Sequence, residues 1–109
     1  MNKFFLTLDL EEWYHLDYLR TYPLDKSQNI IPLINSFFNI VDELNIELTI
    51  FVLGEEIEKN KKLILDASNS GHEIAIHGWD HLLLTQKNNT IFRNCYPVGR
   101  AVEGYERGF

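Results

Sequence analysis

The sequence predicts an α/β domain with a parallel sheet, as an open sheet or a barrel. Three observations lead there: short, nearly continuous apolar runs of β-prone residues; segments between them with apolar residues three and four apart; and regular alternation of the two along the chain. Continuous apolar runs suit strands buried on both faces, and parallel strands need crossover segments that helices supply. The 109 residues, 45% hydrophobic and 24% charged, have globular composition and leave room for one domain at most.

The first strand is expected at residues 4–8, Phe4-Phe5-Leu6-Thr7-Leu8, closed by the acids Asp9, Glu11 and Glu12. Residues 10–27 mix aromatics, charges and Pro23 without a period, which reads as a long loop with at most a helical turn. Asn29 is placed to cap a helix running to about Asn45, with Ile30, Ile34, Phe37, Val41 and Leu44 on its buried stripe and Pro32 in its first turn. A second strand covers Leu48-Thr49-Ile50-Phe51-Val52-Leu53 and ends at Gly54. A less regular helix follows, with Glu55, Glu56 and Glu58 early and Lys59, Lys61 and Lys62 later, stopping at Asn69-Ser70-Gly71. Glu73-Ile74-Ala75-Ile76 is the third strand, and another helix is expected to begin within residues 90–94. Three strands close nothing. A (β/α) barrel takes roughly 200 residues or more, so under that architecture these residues are its first half.

Ten basic residues against sixteen acidic ones give a net charge of −6, so no diffuse positive field draws phosphate backbones, and nucleic acid is not an expected partner. Lys3 precedes an apolar run, but Thr7 interrupts it and acids end it, which does not fit a secretory leader. No stretch approaches the ~18 apolar residues of a membrane span, and a cytoplasmic location is expected. A lone Cys95 allows no internal disulfide and fits a reducing compartment.

Reactive groups in parallel α/β folds gather at the carboxyl ends of the strands. The first strand ends in Asp9-Leu10-Glu11-Glu12; residues two apart in extended chain share a side, so Asp9 and Glu11 point together while Glu12 opposes them. The third strand ends in His77-Gly78-Trp79-Asp80-His81, and histidines four apart in a turn can bring two imidazoles to one metal. Either block alone has a bland reading, a solvated acidic loop or two surface histidines. Their conjunction on one rim supplies a nitrogen and oxygen donor set with open coordination positions, as catalytic metal sites require. His72, at the other end of the third strand, reads as structural. His15 reads as an exposed loop histidine, and Trp13 and Trp79 as packing residues or as flanks of a sugar-sized pocket.

Three blocks together resemble the polysaccharide deacetylases, which share the nodulation-protein-B homology domain: Thr7-Leu8-Asp9-Leu10-Glu11-Glu12-Trp13; Leu48-Thr49-Ile50-Phe51-Val52-Leu53-Gly54; and Gly71-His72-Glu73-Ile74-Ala75-Ile76-His77-Gly78-Trp79-Asp80-His81. The first block is similar to the exopolysaccharide-locus branch. The resemblance covers residues 3–94 and implies the N-terminal half of a distorted (β/α) barrel. It also implies a divalent metal, zinc in most of the family, and hydrolysis of N-acetyl groups on an amino-sugar polysaccharide or oligosaccharide. Carried over by position, Asp9 matches the general base, and Glu11, His77 and His81 match the metal ligands, with Glu12 the alternative acidic ligand.

The family's later blocks supply an arginine that orients the base and a histidine that protonates the leaving amine. Gly104-Tyr105-Glu106-Arg107-Gly108-Phe109 resembles the arginine block only faintly, with an extra glutamate and no proline. The expectation is therefore one partial deacetylase domain over residues 1–109, with an atypical tail at 95–109. Such a chain is expected to be inactive alone and prone to self-association through the unpaired edge of its barrel. The alternative is a non-catalytic remnant or interaction module that keeps the metal site.

Overall fold

The computed structural model describes residues 2–19 and 21–81. The helix expected within 90–94, the arginine-like block at 104–109 and the tail at 95–109 lie outside the described residues. Three strands, β1 (Leu6–Leu10), β2 (Leu48–Val52) and β3 (Glu73–Ile76), form one sheet in chain order, parallel at both pairings. Between β1 and β2 lie 3₁₀ turns at Trp13–His15, Asp17–Leu19 and Ile31–Ile34, then helix α1 (Asn35–Glu43). Between β2 and β3 lie α2 (Gly54–Ile57) and α3 (Lys61–Asn69). No helix among the described residues is long and apolar enough to cross a membrane.

The register aligns Leu10, Val52 and Ile76 at the carboxyl ends of the strands, and Asp9, Phe51 and Ala75 one step before. Side chains alternate across a strand, so these two rows face opposite ways. One face carries Leu10, Leu48, Ile50, Val52 and Ile74, and it packs with Ile31, Phe38, Val41, Ile57, Ile64 and Ala67 into the core. The face of Asp9, Phe51 and Ala75 is not fully covered by any of the described residues.

Among the described residues, then, the strands are covered on one side, where the apolar runs predict burial on both. β1 also starts later than residue 4: Phe4 and Phe5 precede it and are exposed, while Asp9 and Leu10 belong to it. An edge strand with one covered face buries only Leu10 fully.

The first helix differs from its expectation in start, phase and cap. Its entry is the 3₁₀ turn Ile31–Ile34, at three residues per turn, which sets a phase that buries Ile31, Phe38 and Val41 and leaves Ile30, Phe37 and Leu44 exposed. The sequence holds two overlapping apolar stripes, and the core takes the one beginning at Ile31. Asn29 does not cap it. The buried carboxylate of Glu12 does so from eighteen residues away, accepting from the backbone N–H of Ile30 at 2.7 Å (Oε2) and of Ile31 at 3.2 Å (Oε1).

The irregular second helix is two helices. Its break is marked by Asn60, whose Nδ2 donates to the backbone oxygen and the carboxylate of Glu56. His72 is structural, as expected: Leu48 N–H donates to its Nδ1, its Nε2 faces Asp42 at 2.9 Å, and its ring stacks on Phe38. That side chain ties the starts of β2 and β3 to α1.

Candidate metal centre

The last paired residues of β1 and β3 are Leu10 and Ile76, both in register with Val52 of β2, so Glu11 and His77 leave the sheet at the same level. His77 N–H donates to Val52 O, which keeps the chain extended for one more residue. The turn that follows is pinned to the start of α2, where the N–H groups of Gly54 and Glu55 donate to the carbonyls of Gly78 and Trp79. Gly78 (φ 81°) and His81 (φ 67°) both adopt left-handed backbone, and this reverses the chain so that His81 returns toward His77. The two imidazole centroids lie 5.1 Å apart, nearly perpendicular.

The structure brings together the four residues the sequence singles out. His77 Nε2 lies 3.8 Å from Glu11 Oε2 and 3.8 Å from Asp9 Oδ2, and His81 Nε2 lies 3.4 Å from Glu11 Oε2. One ligand atom from each of Glu11, His77 and His81 falls within 4.8 Å of the others. Donor atoms around a tetrahedral zinc, with bonds of about 2.0–2.1 Å, lie roughly 3.3 Å apart, and the two separations from Glu11 Oε2 are close to that value. Glu11 Oε2 and His77 Nε2 are buried and have no hydrogen-bond partner among the described residues. Buried polar atoms are normally satisfied, and two orphans aimed at one point fit a cation between them. Asp9 stands at the rim, more than half exposed.

Hydrogen bonding sorts three of the four histidines. A neutral imidazole has one N–H and one lone pair, and the bond made by one nitrogen fixes the role of the other. In His72, Nδ1 accepts a backbone N–H, so Nε2 carries the proton and donates to Asp42. His15 does the same: its Nδ1 accepts from Glu12 N–H at 2.8 Å, and its Nε2 donates to Glu55 at 2.6 Å. His15, Glu55 and Glu56 also come close enough to suggest a second metal trio, but the His15 lone pair is already committed. His81 is reversed, with Nδ1 against the Asp17 carboxylate at 3.1 Å and Nε2 toward Glu11.

His15 is thus buried, not exposed as expected. Together with Glu12 it anchors the loop after β1: Glu12 turns to the interior to bind the start of the first helical segment, and His15 binds α2. Glu12 is therefore removed from the centre, and Glu11 is the acid placed beside the histidines. The burial of Tyr14 and the nearby carboxylates of Glu56, Glu12 and Glu55 raise its phenol pKa above the usual value.

The tryptophans do not line the cleft formed by the loop after β1. Trp13 Nε1 donates to Gln28 O, and the Trp79 ring lies on Gly54, where an added Cβ would sit 2.3 Å from Cε3. A cleft of about 260 Å³ is lined by Tyr14, Leu19, Tyr22, Leu24, Lys26 and Asp80 among others; it reaches Asp80, next in sequence to His81, and none of the four residues of the centre lines it. Sequence reading missed the tyrosines and Asp17, because single residues in an aperiodic loop carry no pattern.

Residues 30–95, more than half of the chain, match the family model described as polysaccharide deacetylase. That match begins beyond Asp9 and Glu11, so their placement rests on the geometry above. Over 70 residues, 63% of this chain, it is 27% identical to chitin deacetylase 2 of Cryptococcus neoformans var. neoformans serotype D (strain B-3501A), covering 15% of that protein. Over 59 residues, 53% of this chain, it is 36% identical to the peptidoglycan-N-acetylglucosamine deacetylase PgdA of Listeria monocytogenes serotype 1/2a (strain 10403S), covering 13% of that protein. The chain thus spans about a seventh of the length of the curated relatives it matches. A solved family 4 carbohydrate esterase from Bacillus anthracis shares the fold, with a TM-score of 0.59 at 23% identity over 92% of this chain and 42% of that one.

Proposed function

Because the chain belongs to the polysaccharide deacetylase family, we propose that it is the metal-binding portion of a hydrolase that removes N-acetyl groups from an amino-sugar polysaccharide or oligosaccharide. The observation that carries this reading is the convergence of Glu11, His77 and His81, with two orphaned buried donor atoms, beside the exposed carboxylate of Asp9. Glu11 Oε2, His77 Nε2 and His81 Nε2 would hold a divalent cation, zinc by preference, since two imidazoles and one carboxylate suit it. Such a cation supplies Lewis acidity toward an amide carbonyl and acidifies water.

The chain's own residues do the rest. Asp9, on the same side of β1 as Glu11, is exposed enough to meet a water and a substrate, and it takes the proton as the amide carbon is attacked. The division of labour follows from position: Glu11 is withdrawn among the histidines and binds, while Asp9 at the rim moves a proton. Tyr14 and Tyr22, in the cleft that reaches Asp80, offer flat apolar faces of the size of a sugar ring. We also read the 109 residues as the first part of a (β/α) barrel, whose interior is the open face carrying Asp9, Phe51 and Ala75. Protonation of the departing amine is then assigned to a group outside this part.

The test uses zinc titration of the full chain, and acetate release from N-acetylglucosamine oligomers after the rest of a barrel is supplied from a full-length relative. Asp9→Asn is expected to keep zinc near stoichiometric and to lose about 10²–10⁴ in rate. Glu11→Gln is expected to lose both. Equal zinc loss in the two variants overturns the division of roles. Acetate release by the unextended 109 residues, abolished by Asp9→Asn, overturns the partial-domain reading.

A further inference from the structure

We propose that Asp17 is a positioning residue for the metal ligand His81, holding the ring so that Nε2 presents a lone pair to the centre; this rests on the metal-binding reading of Glu11, His77 and His81. The 3.1 Å contact joins Asp17 Oδ1 to His81 Nδ1, across 64 residues of sequence. An ionised carboxylate can only accept, so this contact places a proton on Nδ1, and in the neutral imidazole, the form that binds a metal, Nε2 is then the lone pair. Nε2 is the nitrogen that faces Glu11 at 3.4 Å. The His15 and His72 pairs with carboxylates run the other way, through Nε2, with Nδ1 occupied by a backbone N–H. The reversal at His81 is what separates a coordinating imidazole from a tethering one.

Two features of the chain make the contact more than a surface ion pair. His81 has left-handed backbone, φ 67°, uncommon for a residue other than glycine, and its ring lies between two carboxylates, Asp17 at Nδ1 and Glu11 at Nε2. Asp17 is delivered by a loop that is itself anchored. It begins the 3₁₀ turn Asp17–Leu19, two residues after His15, whose ring is buried and bonded to both Glu12 and Glu55. Carboxylates behind ligating histidines orient the ring and raise its basicity, and their loss typically lowers metal affinity about 10–100-fold.

The test measures zinc affinity of the full chain by competition with a chromogenic chelator at one fixed pH, with the visible spectrum of the cobalt form as a second readout. Asp17→Ala is expected to weaken zinc binding about 10–100-fold and to alter the cobalt spectrum, with no change in the thermal melt of the metal-free chain. Asp17→Asn removes the same charge but keeps an oxygen that accepts from Nδ1–H, so it is expected to recover most of the affinity and the parent spectrum. Unchanged affinity in Asp17→Ala overturns the proposal. Equal losses in the two variants also overturn it, because they reduce Asp17 to a distant negative charge. His77→Ala separates this from failure of the centre itself: if that variant binds zinc as the parent does, the metal-binding reading falls, and the role of Asp17 with it.

Discussion

Adjacent acids with the same side chain have opposite surroundings here. Glu11 lies among histidines, with one carboxylate oxygen near two imidazole nitrogens but without a hydrogen bond among the described residues, while Glu12 points inward and accepts from two backbone N–H groups at the start of a helical segment. Alternation along extended chain separates them, so their difference in role is a difference of one residue in register. Glu12→Ala leaves two N–H groups without their acceptor and is expected to cost about 1–3 kcal/mol of stability, with zinc affinity per folded molecule unchanged. Glu11→Gln is expected to do the reverse, losing zinc while the metal-free chain keeps its stability. Chemical denaturation and chelator competition on the two variants check this, and a stable Glu12→Ala protein that has lost zinc would exchange the roles.

At the scale of elements, the histidine turn is positioned by its contact with α2. The carbonyls of Gly78 and Trp79 receive the first N–H groups of that short helix, and the Trp79 ring lies across Gly54. A methyl group at Gly54 would enter the ring, 2.3 Å from Cε3, so the close approach of turn and helix depends on glycine there. Gly54→Ala is expected to destabilise the chain by about 1–3 kcal/mol, as overpacking does, and to weaken zinc binding by displacing Trp79 and with it His77 and His81. Tryptophan fluorescence and zinc affinity report the two effects. Parent-like values for both would show that the turn holds its place without this contact.

The whole molecule, within its described residues, presents apolar surface that nothing there covers. Ile30, Leu33, Phe37, Ile40 and Leu44, spaced three and four apart, form an exposed second stripe along the first helical segment, and Phe4 and Phe5 are exposed before an edge strand. Extended apolar patches of this kind drive association. The 109-residue chain is expected to sediment with a mass that rises with concentration, and Leu33→Lys with Ile40→Lys to reduce that rise if the stripe is the contact. A concentration-independent monomer with sharp cooperative unfolding would contradict this expectation.

The sequence by itself determined the parallel α/β class and the order of strands and helices, and it singled out Asp9, Glu11, His77 and His81, with Glu12 left as the alternative acid. It could do so because apolar runs and strand-end polar groups are local patterns, and because Asp9, Glu11, His77 and His81 sit at strand ends where topology brings loops together. The tertiary structure decided what depends on distant partners. It chose the stripe beginning at Ile31 over the one beginning at Ile30, gave the helix cap to Glu12 instead of Asn29, buried His15, and set Asp17 behind His81. Each of these joins residues far apart in the chain, and side-chain spacing carries no record of which buried N–H or imidazole a carboxylate will meet once the sheet has formed.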